Sequence, residues 1–136
     1  METLTTTANI ETVKHAFADF AQGNIAGILN ECTDDITWSS WNNANVPFAK
    51  TYTGKAGAAA FFADLGNEVT YTAFEPGDFY DCGDRVFAKV YHSAIVKATG
   101  KTFAHEALME FVFRGEKISS FFAYVDSHDE SVAFIS

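Results

Sequence analysis

The stretch from Lys101 to Asp126 constrains this chain most, because two strand-like arms flank a very short connection. The first arm, Phe103 to Phe113, alternates between two faces. The second, Ile118 to Asp126, follows after Arg114-Gly115-Glu116-Lys117. Gly115 can take the positive φ that a two-residue hairpin turn requires at its first position. With Gly115-Glu116 as the whole turn, Phe113 faces Ile118, Met109 faces Phe122 and His105 faces Asp126. Side chains alternate along a strand, so a slip of one residue exchanges the two faces.

A chain of 136 residues supports one domain, 1–136, with a sizeable core, and not two. Residues 127–136 read as a mobile tail. The 14 phenylalanines make that core aromatic, while 18 acidic against 9 basic residues give a formal charge of −9. Without a basic stripe, nucleic-acid binding and adsorption to anionic membranes are disfavoured. No apolar run reaches membrane-spanning length, and the first residues lack the pattern of a secretory signal, so a cytoplasmic location is expected. There, Cys32 and Cys82 are expected to stay reduced. The four histidines form no close sequence cluster with the cysteines, which argues against a metal site.

Ile10, Val13, Phe17, Phe20 and Ala21 fall at helical spacing behind Asn9, and Gly23 ends that helix. Asn24 opens a shorter one through Ile28 and Leu29. A strand follows from Ile36 to Trp41, then a loop containing Pro47, and a third helix from Ala56 to Leu65. Strands dominate thereafter: Val69–Phe74, Phe79–Asp81, Arg85–Lys97 and the hairpin. Asp34-Asp35 read as a turn. Helices first and an antiparallel meander afterwards define an α+β class, with the helices over one sheet face. The other face would carry Leu108, Val112, Phe121, Ala123 and Val125, too apolar for exposure, which predicts a homodimer through the back of the sheet.

The order of several motifs resembles the SnoaL-like branch of the nuclear transport factor 2-like superfamily, which includes ketosteroid isomerases. They are Phe20-Ala21-Gln22-Gly23-Asn24-Ile25-Ala26-Gly27-Ile28-Leu29, Asp34-Asp35-Ile36-Thr37-Trp38, Tyr52-Thr53-Gly54-Lys55, Gly83-Asp84-Arg85-Val86, Thr99-Gly100-Lys101 and Gly115-Glu116-Lys117-Ile118 with Tyr124 and Asp126. The resemblance implies a cone-shaped, cystatin-like fold: three N-terminal helices on a strongly curved, mostly antiparallel sheet, with a pocket at the open end and dimers through the sheet backs. It does not carry the isomerase chemistry. The tyrosine, base and protonated-acid positions of those enzymes fall at Ala16, Ser40 and near Met109. A second catalytic pattern of the family, Glu-His-Trp-Asp, would fall near Ser120 to Ala123 and is absent.

In the favoured register His105 and Asp126 form a candidate catalytic pair: the carboxylate orients the imidazole, whose free nitrogen serves as general base. The isomerase comparison supports the other register, which puts Phe121, Ala123 and Val125 in the pocket, turns Asp126 outward and leaves His105 alone. Trp38, Ser40, Phe17, Met109 and Tyr124 are candidate substrate contacts, Trp38 as a wall against a flat ligand. The expected function is binding of a small hydrophobic cyclic or aromatic molecule, with cofactor-free acid–base chemistry of the isomerase, cyclase or dehydratase type. A non-catalytic binding or dimeric scaffold module is the rival.

Overall fold

The computed structural model describes the backbone of residues 2–136 and the side chains of residues 8–136. Helix α1 (Glu2–Ala21) turns Val13, Ala16, Phe17 and Phe20 inward at the three- and four-residue spacing of one helix face. Asn24 caps α2 (Ile25–Asn30) by accepting the Gly27 N–H at 3.1 Å. Then come β1 (Cys32–Ser40), β2 (Tyr52–Thr53), α3 (Gly54–Glu68), β3 (Val69–Asp81), β4 (Arg85–Val96), β5 (Thr102–Arg114), β6 (Lys117–Tyr124) and α4 (Ser127–Phe134).

The six strands form one sheet in the order β2-β1-β6-β5-β4-β3. Among the described residues, only β1 and β6 pair in parallel. The α+β class is as the pattern predicts, with four helices rather than three. Pro76 lies within β3 because β3 is an edge strand, where a missing ladder donor is tolerated. Register shifts between Tyr71 and Ala73 and between Pro76 and Phe79 bend that strand. Asp34 and Asp35 lie in β1 rather than a turn, and Asp35 pairs with Arg114 of β5. Both cysteines are free. Among the described residues, no helix is long and apolar enough to cross a membrane.

The core fills the concave side of the sheet. Val86, Ala88 and Val90 of β4, with Met109, Phe111 and Phe113 of β5, point there and pack under Val13, Ile28 and Ala58. Each fully buried large side chain contributes about 1.5–3 kcal/mol from its removal from water.

The hairpin corrects the expected register. The turn is Gly115-Glu116, with Gly115 at φ +66°, and Phe113 pairs with Ile118. Beyond that pair the ladder shifts, so that Val112 faces Ser120 and Ser119 is the extra residue of a bulge. The Ser119 hydroxyl donates to the Val112 carbonyl at 3.2 Å. From there on Met109 pairs with Ala123 rather than Phe122. Phe121 and Ala123 are buried on the concave side, while Phe122 and Tyr124 turn to the convex side with Leu108 and Val112. The convex face therefore carries different β6 residues from those expected.

Asp126 leaves the sheet altogether. It is the N-cap of α4, accepting the Asp129 N–H at 2.9 Å. The segment expected to be a mobile tail thus folds as a helix. Asp129 and Glu130 in its first turn favour it further by facing the positive end of the helix dipole. Its far end is held by the Thr99 hydroxyl, which donates to the Ala133 carbonyl at 2.6 Å.

Candidate functional site

The β4–β5 ladder sets His92 directly opposite His105, both on the concave side. Their Nε2 atoms lie 2.9 Å apart with the rings nearly perpendicular, at 85°. The first turn of α4 supplies the two carboxylates around them. Asp129 Oδ2 sits 2.8 Å from His105 Nδ1 and also accepts the Ala104 N–H at 3.0 Å. Glu130 Oε2 lies 3.6 Å from His105 Nε2 and 4.0 Å from His92 Nε2. His92 is 3% exposed and Glu130 4%.

His105 therefore has a carboxylate partner, but it is Asp129 and not Asp126. The bulge at Ser119 and the departure of the chain into α4 carry Asp126 away from the expected pairing. Nor is His105 alone, as the other register implied. The sequence reading missed His92, Asp129 and Glu130, although the signals were present. His92 shares the buried parity of Val90 and Ala94, and a turn over Lys97–Gly100 pairs Val96 with Lys101, hence His92 with His105. Asp126 followed three residues later by Asp129 is a helix-start pattern.

A cavity of about 80 Å³ lies between the sheet and helices α1 and α3. Trp38, Ser40, Phe17 and Met109 line it, and so do His92 and Glu130; His105 lies behind His92, at hydrogen-bond distance from it. Tyr124 does not: its hydroxyl donates to Glu110 on the convex side at 3.0 Å. A groove of about 580 Å³ runs outside, between α1 and β3, and shares Phe17, Phe20, Tyr71 and Phe74 with the cavity wall. The inner chamber is below the roughly 300 Å³ at which drug-sized sites begin, whereas the groove exceeds it. Two buried polar atoms have no hydrogen-bond partner among the described residues: Trp38 Nε1 and His92 Nδ1. Both side chains line the cavity.

Electrostatics divide the two imidazoles. Burial, reinforced by the neighbouring His105, pushes His92 down to about 4 against the pull of Asp129. Burial also acts to lower His105, but hydrogen bonds and charge from Glu130 and Asp129 outweigh it, and its pKa rises. Burial raises the Glu130 carboxyl, opposed by His105. A positive charge on the pair thus resides on His105, while His92 stays neutral.

This arrangement couples the two tautomers. Asp129 keeps a proton on His105 Nδ1. When His105 is neutral, its Nε2 accepts from His92 Nε2–H and leaves His92 Nδ1 a bare lone pair. When His105 is cationic, its Nε2–H donates to His92 Nε2, and neutral His92 carries its proton on Nδ1. A proton taken up at His92 Nδ1 is thereby balanced by one passed from His92 Nε2 to His105 Nε2. Such a pair can act as a base with its charge stored beside two carboxylates.

His92, His105 and Glu130 also have one ligand atom each within 4.8 Å of one another and could hold a divalent cation. That cluster is invisible in sequence spacing, because a strand pairing creates it. The 2.9 Å Nε2–Nε2 separation is that of a hydrogen bond sharing one proton.

The sequence model of the SnoaL-like domain matches residues 13–121. No curated protein is a significant match. A crystal structure of an NTF2-like protein from Burkholderia xenovorans superposes with a TM-score of 0.87 at 28% identity, covering 95% of this chain and 97% of that one. TerC, co-crystallised with polyporic acid, superposes at 0.84 with 22% identity over 95% of this chain and 99% of its own. A putative polyketide cyclase from Xanthomonas campestris superposes at 0.77 with 16% identity over 96% and 99%.

Proposed function

The chain belongs to the SnoaL-like domain family, and from that premise we propose that its cone binds a small hydrophobic cyclic or aromatic molecule and moves a proton on it without a cofactor. The observation that carries this reading is His92 Nδ1: a buried imidazole nitrogen with no hydrogen-bond partner among the described residues, on the wall of an otherwise aromatic cavity, backed by His105 and Asp129. Leaving such an atom unpaired costs about 1–3 kcal/mol, which a ligand proton would relieve. The reaction class is isomerase-, cyclase- or dehydratase-like proton transfer next to a carbonyl. His92 is the group that meets the ligand; His105 and Asp129 position and charge it.

The ligand enters from the α1–β3 groove. Displacement of the Phe20 and Phe74 rings joins that groove to the inner chamber, so the aromatic partition is the entrance. The structural neighbour called a putative polyketide cyclase, and the one co-crystallised with polyporic acid, are in keeping with a cyclic ligand.

The test is a thermal-shift screen of cyclic ketones and fused-ring aromatics, followed by solvent-deuterium exchange into each hit. Exchange on wild-type protein that falls by at least about 100-fold in His92→Gln fits the proposal, since positioned general bases supply about 10²–10⁴. Full exchange in that variant, or no stabilising ligand of this class, contradicts it.

We also propose a homodimer through the convex face. Trp41 is 51% exposed there and packs edge-on against Tyr124 at 5.5 Å and Phe122 at 6.1 Å. The buried Glu110 beside them is neutralised by Arg85, which leaves an apolar centre suited to self-association.

A further inference from the structure

We propose that the Trp38 Nε1–H is the hydrogen-bond donor for a ligand oxygen in the cavity, so that the ligand is a flat ring bearing a carbonyl next to an enolisable C–H. This rests on the proton-transfer reading of the same cavity and supplies its missing half. A base alone gives a carbanion; the electron pair needs a place to go.

Trp38 sits in β1 between Tyr52 of β2 and Phe121 of β6. Its ring stacks on Phe121 with centroids 4.1 Å apart and planes inclined by 15°. Phe62 and Phe61 pack against it at 5.2 and 5.9 Å, tilted by 58° and 43°. One indole face is therefore covered, and the ring is held by aromatic neighbours rather than presented as an open platform. The face against Phe121 is thus taken up within the protein rather than by a ligand. The N–H is what remains. Trp38 is 5% exposed, and its nitrogen has no acceptor among the described residues.

An indole can only donate. Its complement is a carbonyl or enolate oxygen, and a dry, aromatic cavity strengthens such a bond. The second orphan atom in the cavity, His92 Nδ1, can accept a proton. Together they select a ligand carrying both functions.

The step balances without any other reagent. The lone pair of His92 Nδ1 takes the proton from the carbon next to the carbonyl, and the His92 Nε2 proton passes to His105 Nε2. The C–H electron pair becomes the new C=C bond. The carbonyl π pair moves onto oxygen, where the Trp38 N–H stabilises the enolate. Return of the proton at either end of the conjugated system completes an exchange or an isomerisation.

The probes are 1-indanone, a flat aromatic ketone enolisable at C2, and indane, the hydrocarbon of the same shape without the oxygen. Wild-type protein is expected to bind 1-indanone more tightly than indane. Trp38→Phe, which keeps an aromatic ring in the stack, should weaken 1-indanone about fivefold to tenfold, the net value of one hydrogen bond, and leave indane unchanged. In wild type, the Trp38 indole N–H resonance should move downfield with 1-indanone and not with indane, with Trp41 as the internal control. This readout stands even where the variant fails to fold. Equal binding of the two probes with no resonance shift overturns the Trp38 role and leaves the pocket reading intact. Failure of both probes to bind overturns both.

Discussion

His92 and His105 meet across the β4–β5 ladder at hydrogen-bond distance, Nε2 to Nε2 at 2.9 Å, although 12 residues separate them in the chain. The pair is asymmetric because only His105 touches the α4 carboxylates closely. Asp129 holds its Nδ1 at 2.8 Å, while His92 Nδ1 has no hydrogen-bond partner among the described residues. Charge and cavity access are thus assigned to different rings.

Replacing Asp129 separates these roles. Asp129→Asn keeps the side-chain volume but removes the charge that, with Glu130, raises His105. The expected outcome is a lower His105 pKa in an NMR titration, together with weaker proton exchange on any bound ketone. An unchanged His105 titration would show that Asp129 does not set its basicity.

Stability should vary with pH in a way that depends on His92. Its folded pKa, about 4, lies below the unfolded value of 6.5. Between those values the unfolded chain takes up a proton that the folded chain refuses, so His92 removes stability as pH falls from 6.5 towards 4. The slope approaches about 1.4 kcal/mol per pH unit. His105 acts in the opposite sense, stabilising below 6.5 and losing that contribution as pH rises through its raised value. Denaturant unfolding at pH 7 and pH 5 should show a shallower acid loss in His92→Gln than in wild type. Parallel behaviour of the two proteins would contradict the neutral assignment of His92.

The bulge at Ser119 decides which β6 side chains reach the core. Deleting Ser119 would close the bulge and leave Ser120 opposite Val112, Phe121 opposite Phe111 and Ala123 opposite Met109, so the concave face keeps its residues. With Phe121 still against Trp38, the deletion should cost about 0.5–3 kcal/mol, the ordinary range for a single change. Ser119→Ala, which removes only the bond to the Val112 carbonyl, should cost about 1 kcal/mol. Equilibrium unfolding in urea checks both; a deletion costing more than about 5 kcal/mol would contradict the bulge, because removing a residue from a regular ladder exchanges the faces beyond it.

The proposed dimer gives a simpler prediction. Light scattering at micromolar concentration should report twice the monomer mass, and Phe122→Arg should halve it while leaving the far-ultraviolet dichroism unchanged. A wild-type monomer would remove the proposed interface.

The fold was largely legible because long-range order followed local pattern. Alternation marked the strands, Gly115 marked the turn, and the spacing of Val13, Phe17 and Phe20 marked the buried face of α1. The site was legible only in part. Trp38, Ser40, Phe17 and Met109 were found on parity, but one inserted residue, Ser119, reversed the faces of β6 beyond it. Nothing local announces a bulge held by a single serine hydroxyl. Asp126 was read as a strand residue because its neighbours Tyr124 and Val125 are β-formers, yet its carboxylate is better used capping the orphan N–H groups of α4. That choice removed the expected partner of His105 and, in the same turn, brought in Asp129 and Glu130. The cluster with His92 needs the β4–β5 register, which the sequence reading had not extended beyond the final hairpin.

The coupled His92–His105–Asp129 unit is tested most directly by long-range proton–nitrogen NMR of the two imidazoles. The groups facing them, Glu130 and Asp129 on α4 and Tyr71 on β3, are to be kept native. Below the raised pKa of His105, the account predicts a doubly protonated His105 beside a neutral His92 with its proton on Nδ1. As pH rises through that value, the proton on His92 should move to Nε2 without His92 gaining charge. Two histidines titrating independently near 6.5, with no change of tautomer at His92, would contradict it.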